Sequence, residues 1–174
     1  MTDIVNATVN QFVVQASQVV STVAIDDGTT VWMDNEFYWD SVKDMRAKTD
    51  AEYVDDLVEF IANSNCRQEP KIIIDPSAAS FIEACRRHGG LWLVDCNNEV
   101  LDGIRRTASA LKQRKIRYHR KRCPNAIREH QGYAWDSRKA HLGTEEPMKT
   151  ADHTCDAARY IVNSIFQHSW RLAA

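Results

Sequence analysis

The sequence predicts an α/β protein with a mixed central sheet, in which the first three strands are antiparallel and helices flank the sheet. The first 40 residues carry three strand-like segments separated by short turns, the pattern of strands joined as hairpins. From residue 49 onward, segments with helical spacing of apolar residues alternate with short β-branched runs, as in βαβ units. Because 174 residues suffice for one sizeable core, we expect residues 1–174 to form a single domain.

The three opening strands are predicted over residues 11–15, 19–25 and 29–39. Asp26-Asp27-Gly28 separates the second strand from the third, and its glycine can adopt the positive φ that a hairpin turn needs. A helix then begins after Thr49, because the Thr49 hydroxyl can bind the Glu52 N–H while the Glu52 side chain reaches back, as in a capping box.

A buried strand is predicted over residues 71–75, where three consecutive isoleucines precede Asp75 and Pro76. Proline cannot donate to a strand ladder, so the strand must end with Asp75 at its tip. A helix over residues 78–88, which two glycines end, and a strand over 91–94 complete a βαβ unit. The remaining predicted elements are a helix over residues 99–112, a strand near 116–119, a helix from Pro124 to about Tyr133, a polar loop over 136–151 and a last helix running to about Trp170.

Two of these elements carry acids that can hold a metal ion. Asp75 stands at the tip of its strand, and Asp152 stands in the first turn of the last helix, with Asp156 one turn further along the same face. Open α/β sheets bind ligands at the carboxyl ends of their strands, so these acids form a candidate active site. A simpler interpretation stays open, in which Asp75 is a turn residue or a helix N-cap and Asp152 is an ordinary residue at a helix start.

The charges are unevenly distributed, although the net charge is only −2. Residues 1–60 contain twelve acids against three bases, whereas the other residues contain twelve acids against nineteen bases. Nine of these bases lie between Arg105 and Arg122, which indicates either a phosphate-binding surface or a solvated basic face with no polyanion partner. The apolar run over residues 12–25 is interrupted by five polar residues, so we expect no membrane span.

Six segments follow one another in an order that is specific to one family. They are Tyr38-Trp39-Asp40-Ser41; Lys48-Thr49-Asp50-Ala51-Glu52-Tyr53 with Asp55-Asp56-Leu57; the stretch from Ile73 to Phe81; the stretch from Asn98 to Ile104; Ile127-Arg128-Glu129 with Tyr133 and Trp135-Asp136; and Asp152-His153 with Asp156-Ala157 and Arg159-Tyr160. In these segments the chain resembles the nuclease domain of the terminase large subunit, the DNA-packaging motor protein of tailed phages.

The resemblance implies an RNase H-like fold and an endonuclease that cuts double-stranded DNA with two Mg²⁺ or Mn²⁺ ions, for which carboxylates are suitable ligands. It implies that Asp75 is the second acid of the site and bridges the ions, and that Asp152 is the third and holds one of them. Asp156 would be an additional ligand or would support the ligands, and His153 would orient a carboxylate or a phosphate. Lys149 matches the family residue that lies just upstream of the third acid. The residues expected to contact DNA are Arg105, Arg106, Lys112, Arg114, Lys115, Arg117 and Lys149.

The partners that the resemblance implies are double-stranded DNA, a terminase ATPase domain or subunit, the small terminase subunit and the portal. The location that it implies is the host cytoplasm and, transiently, the phage procapsid. This chain contains no phosphate-binding loop of the form Gly-x-x-x-x-Gly-Lys-Ser/Thr, so we expect no ATPase domain in it. It would be an isolated nuclease domain, a separately encoded remnant or a fragment of a longer protein.

One departure from the family concerns the first acid. The family's first strand carries an acid near its middle, followed by glycine, and residues 11–17 contain neither. Asp3 and Asp26 are candidate substitutes, although Asp3 precedes the strand and Asp26 lies in the predicted hairpin turn. Without a first acid, the alternative function is a catalytically impaired DNA-binding or docking module of the motor. A junction resolvase on the same fold is a third hypothesis.

Overall fold

The computed structural model describes residues 9–14, 20–26, 30–41, 43–64, 69–141, 145–148 and 152–169, and the descriptions that follow concern these residues. The strands among them are β1 (Val9–Val14), β2 (Val20–Asp26), β3 (Val31–Tyr38), β4 (Lys71–Ile74), β5 (Trp92–Asp95) and β6 (Ile116–Tyr118). The helices are α1 (Asp50–Ala62), α2 (Ala79–His88), α3 (Leu101–Lys112), α4 (Pro124–Gly132), α5 (Ser137–Ala140) and α6 (His153–Ser169).

The strands form one mixed sheet in the order β5-β4-β1-β2-β3-β6. β2 pairs antiparallel with β1 and with β3, whereas β1 with β4, β4 with β5, and β3 with β6 pair in parallel. The structure therefore has the mixed α/β class that the sequence predicts. Every described strand except β2 runs in the same direction, so five strands end at one side of the sheet, which we call the carboxyl edge.

Helices cover both faces of this sheet. α1 and α2 pack against Ile72 and Ile74 on one face, and α3, α4 and α6 pack with Ile73 on the other. Side chains alternate between the two faces along a strand. Residue 75 therefore lies on the same side as Ile73, which is the side of α6.

Most predicted elements are present with ends that differ by one or two residues. The capping box of Thr49 and Glu52 is confirmed at the start of α1, and Gly89 and Gly90 end α2 with φ of +76° and +70°. The predicted βαβ unit is confirmed as β4, α2 and the parallel strand β5. The segment over 136–151, predicted as a loop, contains the short helix α5 and a bridge between Trp135 and Pro147.

The prediction that Asp26 lies in a hairpin turn is wrong. Asp26 is the last residue of β2, where its backbone pairs with Val9 of β1 and Val31 of β3. Because β2 is the strand that runs against the others, Asp26 lies at the edge of the sheet opposite the carboxyl edge. No helix in the described part of the chain combines the length and the apolar character that crossing a membrane requires.

Candidate active site

Asp75 follows the last residue of β4 and therefore lies at the carboxyl edge, where the sequence predicts it. Its half-buried carboxylate accepts hydrogen bonds from the Ser77 N–H on Oδ1 (2.9 Å) and from the Tyr160 hydroxyl on Oδ2 (2.8 Å). Burial raises the pKa of Asp75, but the hydrogen bonds from Ser77 and Tyr160 and the positive charge of Arg159 outweigh it, so the pKa lies below its usual value. Asp75 is therefore ionised at neutral pH.

The hydrogen bond from Tyr160 connects the end of β4 to α6. Asp152 directly precedes this helix, and its carbonyl accepts the Asp156 N–H at 2.9 Å, the first bond of the helical ladder. Tyr160 lies about 12 Å along the helix axis from Asp152, since an α-helix rises by about 1.5 Å per residue. Side chains on a helix lean toward its N-terminus, so we expect the Tyr160 hydroxyl, and Asp75 with it, to lie nearer the turn of Asp156 than the Tyr160 backbone does.

Asp156 is engaged by a cation rather than open to solvent. Its Oδ1 oxygen accepts from Arg159 Nη2 at 2.9 Å and from Nε at 3.3 Å, and both side chains are nearly fully buried. Arg159 Nη1 also donates to the Asn98 carbonyl (2.9 Å) and the Glu99 carbonyl (3.2 Å). Asp156 and Arg159 thus fasten α6 to the segment before α3, and a ligand role for Asp156 stays a prediction.

The other predicted residues are described in part. Asp152 is 7% exposed. His153 is half-buried, and its Nδ1 is a buried atom that makes no hydrogen bond within the described residues. Asp3 and Lys149 lie outside those residues.

The described residues do not supply a complete metal site. They contain no group of three or more His, Cys, Asp and Glu side chains placed to hold one ion. The donor chemistry nevertheless fits a hard divalent cation, since Asp75 is ionised and a carboxylate provides about four acceptor positions, more than its bonds from Ser77 and Tyr160 use. β1 pairs Val14 with Ile74, so it ends beside Asp75, but its sequence contains no acid.

The structure also shows why Asp26 is not a substitute for the first acid. Asp26 pairs with Val9 at the start of β1, whereas the end of β1 at Val14 is the part beside Asp75. These two positions on β1 are about 17 Å apart at about 3.4 Å per residue.

Some of the basic residues predicted to contact DNA lie away from Asp75. Lys112, Arg114 and Lys115 precede β6 and therefore lie at the edge opposite Asp75. Arg114 has a φ of +58°, and its N–H and that of Lys115 bond to carbonyls of α3, so these residues terminate the helix.

Three other predicted DNA contacts, Arg105, Arg106 and Arg117, have partners within the protein. Arg105 pairs with Asp102 (3.6 Å) and Glu145 (2.8 Å). Arg106 donates to Asn163 at 3.4 Å, and the Arg117 guanidinium carbon lies 5.2 Å from the centroid of the Trp32 ring. The basic stretch is therefore partly committed to intramolecular contacts.

The sequence predicted no role for three residues that make contacts at the site, namely Tyr160, Arg159 and Glu129. Each of them lies in one of the six segments that carry the family resemblance. The available signal for Tyr160 was its spacing, since Asp152, Asp156 and Tyr160 follow one another at intervals of four along one helix face. No local pattern pointed to Glu129, whose contacts are with residues distant in sequence.

These features define an α/β domain whose mixed six-stranded sheet lies between two helical layers and carries an ionised acid at its carboxyl edge. Among solved structures, it is similar to the large terminase of a thermophilic bacteriophage in complex with ADP. The TM-score is 0.82 and the identity 33%, over 95% of this chain and 42% of that chain. Another crystal form of the same terminase gives a TM-score of 0.82 and 33% identity, over 95% and 41%.

The chain is also similar to the nuclease domain of the large terminase of bacteriophage SPP1, a structure with bound Mn. Here the TM-score is 0.66 and the identity 16%, over 98% of this chain and 93% of that domain, which shows a shared fold. No protein-family model and no curated protein matches the chain. The chain is thus a terminase-like domain, and the similarity supports a terminase-related function. It spans about 42% of the length of the thermophilic phage's terminase.

Proposed function

We propose that this chain is the metal-dependent endonuclease domain of a phage DNA-packaging terminase, which cleaves double-stranded DNA on an RNase H-like fold. The observation that carries the proposal is the position of Asp75, ionised at the carboxyl edge and hydrogen-bonded to the helix that Asp152 precedes. The bound Mn of the SPP1 nuclease domain supports a divalent cation as the cofactor.

The proposed ligands are Asp75, which would be shared by the ions, and Asp152, with Asp156 in a supporting role. Mg²⁺ or Mn²⁺ held there would activate a water and stabilise the departing oxygen. The protein's own contribution is orientation: Tyr160 and Ser77 hold the Asp75 carboxylate, and Arg159 holds Asp156. His153 orients a carboxylate or the scissile phosphate.

The absence of an acid in β1 makes the third ligand the open part of this proposal. Asp3 and a partner chain are the remaining sources, because Asp26 lies at the wrong edge. If neither supplies a ligand, the alternative function applies, and the chain is a catalytically impaired DNA-binding or docking module of the packaging motor.

The proposed partners follow from the similarity to the two phage terminases. They are double-stranded DNA, the ATPase part of the motor, the small terminase subunit and the portal, and the proposed location is the host cytoplasm and the procapsid. The match covers under half of the thermophilic phage's terminase, so the proposed ATPase part would lie outside the matched region.

Plasmid cleavage with Mn²⁺ tests the proposal. Wild-type protein should nick and linearise supercoiled DNA, and Asp75→Asn and Asp152→Asn should each lower the rate at least about a hundredfold, because each removes a ligand charge. Asp55→Asn is the matched control, since Asp55 is exposed on α1, on the opposite face of the sheet.

Three other results would lead elsewhere. Undiminished cleavage by Asp75→Asn would refute the site assignment. Wild-type protein that binds DNA without cutting it at any metal concentration would favour the docking module. A strong preference for four-way junctions over linear duplex would favour a resolvase.

A further inference from the structure

A buried carboxylate on α4 accepts hydrogen bonds from two groups at the start of α6 and from one group at the end of β3. Glu129 is 2% exposed, and its Oε2 accepts from the Thr154 N–H (2.7 Å) and the Thr154 hydroxyl (2.5 Å). Its Oε1 accepts from the Tyr38 hydroxyl (2.9 Å). Three donors thus compensate a buried anion that would otherwise be costly.

Through these contacts Glu129 caps a helix other than its own, a role that a residue next to the capped helix usually fills. The first N–H groups of a helix have no intrahelical acceptor and are normally capped by a side chain of the residue just before the helix. Here the Thr154 N–H, in the first turn of α6, donates to a carboxylate from another helix. The anion also lies at the end of α6 where the helix dipole is positive, which stabilises it further.

The position of this cap matters because of what stands beside it. Asp152 and His153 are the two residues immediately before Thr154, and Tyr38 is the last residue of β3 at the carboxyl edge. Glu129 therefore connects the start of α6 to the same edge of the sheet at which Asp75 lies. The burial of Tyr38 and its bond to Glu129 raise the tyrosine pKa to about 12, so the phenol stays a donor over the whole working range of pH.

We propose that Glu129 is a positioning residue of the nuclease site, which fixes the start of α6, and with it Asp152 and His153, against the end of β3. The inference rests on the proposed function and extends it to a residue that touches neither metal nor DNA. Residues hydrogen-bonded to metal ligands commonly change metal affinity by about 10- to 100-fold when replaced, and Glu129, which bonds a neighbour of the ligand, should act at the lower end of that range.

The chain offers a matched control in Glu36 of β3. Its carboxylate accepts from the Asn125 N–H (2.7 Å), the Asn125 side-chain amide (2.8 Å) and the Ala126 N–H (2.9 Å), and so caps α4 as Glu129 caps α6. Glu36→Gln therefore removes the same kind of charge from the same kind of cap, one helix away from the acids.

The experiment measures two quantities on the whole chain, Mn²⁺ affinity by calorimetry and hydrogen exchange of the Thr154 amide by NMR. Glu129→Gln should weaken Mn²⁺ binding at least about tenfold. It should also accelerate exchange of the Thr154 amide beyond any global change, while Glu36→Gln leaves both quantities within about twofold. If Glu129→Gln does not fold, Tyr38→Phe is used instead, because it loosens the cap by removing its bond to β3. It should weaken Mn²⁺ binding about threefold and accelerate Thr154 exchange less than Glu129→Gln would.

The outcomes separate this inference from the proposed function. Unchanged Mn²⁺ affinity in Glu129→Gln, or in Tyr38→Phe where that variant is used, would overturn the inference, as would an equal loss in Glu36→Gln, which would indicate general loosening. Wild-type protein without any Mn²⁺ binding would overturn the metal-dependent function instead. In that case the exchange rate of the Thr154 amide decides. Acceleration in Glu129→Gln, or in Tyr38→Phe where that variant is used, without acceleration in Glu36→Gln supports the cap. No acceleration would overturn it.

Discussion

Asp75 is held from two directions, by a backbone N–H of its own turn and by the Tyr160 hydroxyl of a distant helix. Tyr160→Phe removes the second donor and leaves the ring. We expect a loss of about 1 kcal/mol of unfolding free energy at neutral pH, the usual contribution of one hydrogen bond.

The pH dependence of this loss has a definite sign. The folded-state pKa of Asp75 lies below its usual value, so its stabilising contribution is present above that value and disappears as pH falls through the folded pKa. The difference between wild type and Tyr160→Phe, measured by urea denaturation, should therefore shrink below about pH 4. A difference that stays constant down to about pH 2 would contradict an ionised, hydrogen-bonded Asp75.

His130 should make the protein less stable in mild acid. Its Nδ1–H donates to the Ala126 carbonyl (2.9 Å), so its Nε2 accepts from the Tyr118 hydroxyl (3.2 Å), and Cys155 and Glu129 are its other titratable neighbours. Burial lowers the pKa of His130 below 6.5, and this outweighs the Ala126 hydrogen bond and the charge of Glu129.

The consequence is that the unfolded chain binds a proton below pH 6.5 that the folded protein does not. The unfolding free energy should thus fall as pH decreases from about 7 to about 5, and the fall should be smaller in His130→Gln. Equal slopes for the two proteins in denaturant titrations would show that His130 is not the group responsible.

Single residues also show which features of the site could be predicted from the sequence. The place of Asp75 at a strand end was predictable because Pro76, its neighbour, cannot continue a ladder. Its bond to Tyr160 was not predictable, since the two residues lie 85 positions apart and meet only when α6 crosses the sheet.

At the scale of elements, the close approach of α3 and α6 depends on one glycine. A Cβ added at Gly103 would lie 2.7 Å from Arg159 Cγ and from Asn163 Nδ2. Gly103→Ala should therefore lower the unfolding free energy by about 1–3 kcal/mol through overpacking, although alanine is the better helix former by about 1 kcal/mol.

Gly132 is the control for this substitution, because a Cβ there meets nothing within 4 Å. Gly132→Ala at the end of α4 should leave stability unchanged or raise it by up to about 1 kcal/mol. Thermal denaturation of the two variants decides between packing and helix propensity. Equal melting temperatures would mean that α3 can move away from Arg159 at no cost.

The helix caps divide by the same criterion of sequence distance. The cap of α1 was predictable, because Thr49 and Glu52 are three residues apart and form both bonds locally. The caps of α4 and α6 come from Glu36 and Glu129, which are 89 and 25 positions from the N–H groups that they bind. No pattern in a short window contains both partners, so these caps follow only from the folded arrangement.

For the whole molecule, the direction of the strands decides which basic residues lie at the same edge of the sheet as Asp75. The turn after β6 carries Arg120 and Lys121, both exposed, on the side of that strand toward the carboxyl edge. Lys112 and Arg114 precede β6 on the opposite side, where Arg114 is exposed. These basic residues are close together in sequence, but β6 runs between the two pairs and places them at opposite edges of the sheet.

This separation predicts different effects of two equal changes in charge. β4 and β6 are four strand spacings apart, about 19 Å. If the proposed function holds, a duplex placed for cleavage at Asp75 and lying along the carboxyl edge would reach the turn of Arg120. Arg120→Gln with Lys121→Gln should weaken binding of a short duplex about tenfold at about 0.1 M salt and reduce the slope of log K against log salt by about two. Lys112→Gln with Arg114→Gln removes the same charge and should change affinity less than about threefold. Fluorescence anisotropy in EDTA measures both without any cleavage, and a larger loss in the second pair would place the DNA on the opposite edge, away from Asp75.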